Sequence, residues 1–167
     1  MATEAKKNKT IPAVVELRIG EAVDAYALIS KLKLGGVAME AARKVLKASG
    51  VLRNITRDFE AFEKDASERL KPDGWDDVVK KARDFEQLTE EERREVNRAG
   101  LAYDRAVAEV TAPERDRKVK TEQWPRLTAD EFDTLVAANM ELSVAQLLAV
   151  RDYLLSLIHI SEPTRRS

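Results

Sequence analysis

The sequence predicts a mainly α fold: a long antiparallel helical hairpin, with a small two-stranded β element and short helices at its base. Three observations predict it. Apolar residues recur in steps of three and four from Ala38 to Val110, the spacing of one helix packing on another. Lys71-Pro72-Asp73-Gly74 interrupts that pattern near its middle with turn-forming residues. Two short alternating runs, Val14–Ile19 and Val119–Trp124, flank the hairpin and read as strands.

Residues 1–10 are polar and lysine-bearing and are expected to form a disordered tail, leaving 11–154 as one helical-hairpin domain. In the first strand Val15, Leu17 and Ile19 alternate with Glu16 and Arg18, and Gly20 is expected to end it. A lone strand cannot stand unpaired, and Val119–Trp124 is the one suitable partner. Glu21 to Leu34 then reads as a helix with Ala22, Ala25, Tyr26, Ile29 and Leu32 inward and Gly35-Gly36 as its stop. Tyr26 is expected in the core, not as a catalytic phenol.

The first arm of the hairpin carries Ala38, Ala41, Val45, Ala48, Leu52, Ile55, Phe59, Phe62 and Ala66 on its seam. Pro72 ends the arm, because the residue before a proline is pushed off helical angles. The second arm carries Trp75, Val78, Ala82, Phe85, Val96, Ala99, Tyr103, Ala106 and Val110, and Pro113 is expected to close it. A fold about residue 73 pairs Phe62 with Phe85, Leu52 with Val96 and Val45 with Tyr103. Leu88-Thr89-Glu90-Glu91-Glu92 is a capping box and predicts a break or kink in the second arm. The seam is rich in alanine, so the hairpin buries little apolar surface and should lean on its neighbours or on other chains.

Beyond the hairpin, Thr128-Ala129-Asp130-Glu131 opens a helix that ends near Asn139, and Ser143-Val144-Ala145-Gln146 opens another. Two short helices with a tight link give an alternative function, a helix-turn-helix-like nucleic-acid-binding regulator. Charge argues against it: between Thr128 and Leu154, Asp130, Glu131, Asp133, Glu141 and Asp152 stand against Arg151 alone.

Leu155 to Arg165 is similar to the in-frame translation of a transposase sequencing adaptor, so residues 155–167 are expected to be a non-native tail. On that reading the native end is missing after about Leu154. The run holds the one histidine of the chain, His159. Without it, and with no cysteine, the usual general base, the catalytic triads and most zinc sites lack their side chains. The carboxylate groups Asp73/Asp76/Asp77 and Glu90/Glu91/Glu92 lie where helix N-termini collect acids for dipole and capping reasons. No catalytic residue, metal ligand or cofactor is expected, and the chain is read as not an enzyme. The 167-residue chain is 35% charged with a net charge of −1, so no global field draws it to nucleic acid or membrane. No apolar run approaches the length of a membrane span. Trp75 near the turn and Trp124 near the base are the candidate protein-contact residues.

The order of elements is strand-like Val14–Ile19, a helix ending Lys31-Leu32-Lys33-Leu34, a long hairpin with Leu88-Thr89-Glu90-Glu91-Glu92, a polar strand, and a closing Leu142-Ser143-Val144-Ala145-Gln146-Leu147-Leu148 helix. That order resembles an uncharacterised family of small helical-hairpin proteins of tailed phages and prophages, over most of residues 12–154. The resemblance implies a structural or assembly protein that contacts other phage proteins or itself, in the host cytoplasm or the virion, with no small-molecule substrate. It carries over no catalytic residue.

Overall fold

A computed structural model describes residues 14–155. The order is β1 (Val14–Arg18), α1 (Ile19–Ile29), α2 (Met39–Arg69), α3 (Trp75–Arg83), a 3-10 turn (Phe85–Gln87), α4 (Glu90–Asp116), β2 (Lys118–Glu122), α5 (Ala129–Ala138) and α6 (Val144–Leu154). The protein is mainly helical with a small two-stranded antiparallel sheet. The expectations for residues 1–10 and for Ser156–Ser167, His159 included, lie outside the described residues.

The chain divides into two compact units, one from residues up to 57 together with those from 118 onward, the other from 58 to 117. In the first unit β1 and β2 pair as expected, Val14 opposite Glu122 and Arg18 opposite Lys118. Val15, Leu17, Val119 and Thr121 are half-buried while their neighbours are exposed, the alternation of a sheet with one wet face. Ile19 and Gly20 open α1 instead of ending the strand, and both are buried. Helix α1 then stops at Ile29, short of Gly35-Gly36, with Ser30 and Leu32 closing its last carbonyls.

The core of this unit is one cluster. It takes Ala22, Ala25 and Ile29 from α1, Ala41, Val45, Ala48, Val51 and Leu52 from α2, and Leu135, Val150 and Leu154 from the last two helices, with Trp124 and Leu127 between. Tyr26 packs half-buried against it, as expected of a core residue. Asn139 is 1% exposed and caps α5. Its Nδ2 donates to the carbonyls of Lys33 and Leu135, both at 2.9 Å, and its Oδ1 accepts from the Lys33 N–H at 2.7 Å. One side chain thus ties the end of α5 to the link after α1 and leaves none of its own polar atoms dry. The Lys44 ammonium adds a 2.7 Å contact to the Glu131 carboxylate.

In the second unit three contacts set the direction of α4. Arg93 donates to the carbonyls of Phe85 (3.1 Å) and Glu86 (2.8 Å). Ten residues on, Tyr103 lies against Trp75 and donates to the Ser67 carbonyl. Further on, the Arg115 guanidinium sits over the Phe59 ring at 5.7 Å. As α4 advances, its partners fall from 85 to 75 and 67 and then 59. It therefore runs antiparallel to α3 and to the end of α2 alike. The chain reverses across residues 84–89, where Thr89 and Glu92 close a complete capping box. Lys71–Gly74 instead joins two helices that both run counter to α4.

This corrects the expected register. Phe62 takes Phe59 as its ring neighbour, at 6.4 Å, and Phe85 lies under Arg93. Val45 and Leu52 belong to the core of the first unit, and Tyr103 takes Trp75 and Ser67. Pro113 does not end α4, which continues to Asp116. A proline inside a helix removes one N–H and strains one turn, and here it falls in the last turn, where little of the helix remains to break.

Candidate functional site

The two tryptophans singled out by sequence meet opposite fates. Trp124 is 1% exposed and sits in the core of the first unit. Its indole Nε1 donates to the Tyr153 carbonyl at 2.8 Å, so the polar edge is satisfied inside the protein. The Arg126 guanidinium covers the ring at 5.1 Å and donates to the Asp152 carbonyl at 3.0 Å. Burial holds the Arg126 pKa below its ordinary value. This array anchors the start of the β2–α5 link to the end of α6. It leaves Trp124 no surface to offer a partner, which corrects its place among the contact residues.

Trp75 opens α3 in the second unit and is half-buried. Gly74 before it adopts φ +80°, a left-handed conformation that a side chain would strain. That geometry lets the Trp75 N–H reach the Pro72 carbonyl at 3.1 Å. The indole meets the Tyr103 ring at 4.4 Å with the planes tilted by 35°. Tyr103 is held in turn by its hydroxyl, which donates to the Ser67 carbonyl at 2.7 Å. Lys71 closes the other side through an ion pair with Glu68 at 3.0 Å, and that hydrogen bond raises the lysine pKa.

Residues Lys71 to Asp77 line a shallow depression of about 310 Å³ here. Asp73, Asp76 and Asp77 are among its lining residues, with Trp75. Among the described residues no three His, Cys, Asp or Glu side chains converge to hold a metal ion. The depression is open, and its lining sets three carboxylates beside a half-buried tryptophan.

Elsewhere in the second unit apolar side chains face water. Phe62 is 37% exposed, Val110 41% and Leu101 68%. Only Phe59, Ala66 and Val96 among its apolar residues are buried. The seam pattern had placed Phe62 and Val110 inside; they lie along the stretch where α4 passes α2 and are only partly covered there.

The helix pair α5–α6 forms as the capping boxes foretold, with Thr128 and Ser143 as N-caps. Its acids remain, and Glu131 is held by Lys44, which together with the Thr128 amide keeps its carboxyl below the usual range. Among the described residues no helix is long and apolar enough to cross a membrane. No family model, no curated protein and no solved structure matches this chain.

Proposed function

We propose that this chain is a non-enzymatic structural or assembly protein of a tailed phage, acting in the host cytoplasm or the virion. It works through helix-mediated contact with other phage proteins or with further copies of itself. The observation that carries this reading is the dry-core deficit of residues 58–117. Their helices fully bury three apolar side chains, while Leu101 is 68% exposed and Phe62 and Val110 are more than a third exposed. Apolar side chains left open on long helices gain by closing against a partner, at about 25 cal/mol per Å² removed from water. Trp75 is the contact residue within reach of such a partner, since its indole is braced by Tyr103 and still half open. The resemblance to phage hairpin proteins supplies the biological setting.

Sedimentation of the purified chain and affinity capture from phage-infected cells test the proposal. Co-purifying phage proteins, or a mass above one chain, support it. A strict monomer that retains no phage protein sinks it. Phe62→Ser combined with Leu101→Ser should release the captured partner while leaving the helix content unchanged.

A further inference from the structure

The exposed face of α2 within the first unit carries a feature that protein-mediated assembly does not use. From Ala41 to Arg57 the helix holds Arg43, Lys44, Lys47, Arg53 and Arg57 and no carboxylate. Lys44 is turned to Glu131. The other four are exposed. Arg43 shares an exposed ion pair with Glu40 at 2.9 Å. Among the described residues Lys47, Arg53 and Arg57 have no ion-pair partner.

These residues form a stripe. Positions 43, 47, 50, 54 and 57 advance by four and three, so they share one side of the helix, and Arg53 stands at its border beside Asn54. The stripe is about 21 Å long at 1.5 Å per residue. Gly50 stands at its centre, with Lys47 and Arg53 three residues to either side and Arg43 and Arg57 seven. Local helix energetics asks for none of this. Arg43 with Lys47, and Arg53 with Arg57, are like-charge pairs at i,i+4, which weaken a helix. Glycine in an exposed helix interior is less stable than alanine. A Cβ at Gly50 would meet nothing within 4 Å, and its φ is not left-handed, so neither packing nor backbone geometry calls for glycine there. A bare patch of backbone framed by four cations is the shape of a site that something anionic approaches closely.

The occupant follows from what the face lacks. A second copy crossing at Gly50 would set cation against cation. A protein partner would find no aromatic anchor and a single exposed aliphatic one, Leu46 one turn before Gly50, set among four cations and the polar Asn54. A chain of phosphodiesters meets every condition. Guanidinium and ammonium groups donate to phosphate oxygens, and the missing side chain lets a strand lie near the helix. The net charge of −1 removes long-range attraction but not a local one, since exposed charges act over about 10 Å at ordinary salt.

We infer that the Arg43–Arg57 face of α2 binds the sugar–phosphate backbone of nucleic acid, without reading its sequence. Contacts to phosphate alone position a strand and carry no base information. The inference is independent of the protein contacts proposed above, and capture of phage proteins neither supports nor weakens it.

The test is anisotropy of a short labelled DNA duplex titrated with the full chain between ~50 and ~200 mM salt. Binding at the lower salt is expected, with affinity falling steeply as salt rises. Lys47→Gln with Arg53→Gln and Arg57→Gln should weaken it at least about tenfold and flatten the log–log salt dependence by about 3, one unit for each phosphate no longer neutralised. Gly50→Glu gives the sharper result. The new carboxylate would lie three residues from Lys47 and from Arg53, so thermal stability should rise while duplex binding falls at least about tenfold. Lys80→Gln with Lys81→Gln, on α3, should leave binding unchanged. The inference is overturned if the folded chain shows no binding at low salt, or if the α3 variant loses as much as the α2 variants. It is overturned equally if Gly50→Glu binds as tightly as the parent, or if the same α2 residues retain anionic phospholipid vesicles and no duplex.

Discussion

Replacing Asn139 by alanine should destabilise the first unit more than any other single truncation of a polar side chain. The magnitude follows from three hydrogen bonds. Asn139 is 1% exposed, donates twice and accepts once, and two of its three partners are the N–H and carbonyl of Lys33. Lys33 lies in the irregular link between α1 and α2, where no helix or strand supplies a second partner. The Leu135 carbonyl is different, because it keeps its helical neighbourhood. Each bond contributes about 0.5–1.5 kcal/mol net, and a partner left dry adds a further ~1–3 kcal/mol. Water entering the vacated space would recover part of that. A loss of about 2–4 kcal/mol is therefore expected, equivalent to a fall in Tm of about 4–16 °C at ~2–4 °C per kcal/mol for a chain of this size. Urea titration read by tryptophan fluorescence checks it, since buried Trp124 reports on the same unit. Asn139→Asp is the informative companion. It keeps the volume and the acceptor but removes both donors and buries a charge, so it should be at least as damaging. A loss below about 0.5 kcal/mol for Asn139→Ala would refute the tie it makes between α5 and the α1–α2 link.

Four further outcomes follow from other sites. Thr56→Val should stabilise by about 1 kcal/mol, because Thr56 is 4% exposed and its hydroxyl has no hydrogen-bond partner; thermal melting decides the sign. Thr89→Ala should cost about 1 kcal/mol by opening the capping box, seen as faster amide exchange in the first turn of α4. Tyr103→Phe should weaken residues 58–117 by about 1 kcal/mol through loss of the bond to the Ser67 carbonyl, with protection in α3 falling further than in α1. The Lys44–Glu131 pair should make stability acid-sensitive. The Glu131 pKa is lowered in the folded state, first by the Lys44 hydrogen bond, so the contribution is complete above the ordinary carboxylate range and disappears as pH falls through and below it. Lys44→Gln should therefore lower Tm at neutral pH, by no more than about 1 kcal/mol of stability, and converge on the parent once acid protonates Glu131 in the folded state.

Local signals in the sequence translated well because each is closed within a few residues. The three capping boxes at Thr89, Thr128 and Ser143 all form, since N-cap and N3 satisfy each other without outside help. The sheet was legible for a related reason: two alternating runs, each useless alone, had only each other. Boundaries that depend on tertiary context were not legible. Ile19 continued the alternation of β1 and Gly20 was expected to end it, yet both are buried and form the first turn of α1. Trp124 and Trp75 looked alike as exposed-anchor candidates. Nothing in the local sequence says that the Tyr153 carbonyl, twenty-nine residues on, will satisfy the indole of one and bury it.

The hairpin shows where periodicity stops carrying information. A seam in steps of three and four states which face of a helix is dry, and says nothing about what dries it. Along α2 the expectation of a dry face holds at Ala41, Val45, Ala48, Leu52, Phe59 and Ala66. Yet that single face serves two purposes. Its first part closes the core built from α1, α5 and α6, and Phe59 with Ser67 meets residues of α4. Assigning the whole seam to one partner forced the reversal onto Lys71–Gly74, the most turn-like tetrapeptide available. The tetrapeptide is equally good at joining two helices that continue in one sense, because Gly74 with φ +80° serves as the N-cap of α3. The capping box at Thr89 was the better marker of reversal, since it opens a new helix whose direction owes nothing to the previous one. Moving the reversal from 73 to 84–89 shortens the helix opposite the start of α4 to the nine residues of α3. Leu101 lay off the expected seam and is 68% exposed; with the partly exposed Phe62 and Val110 it is what the proposed partner contact rests on.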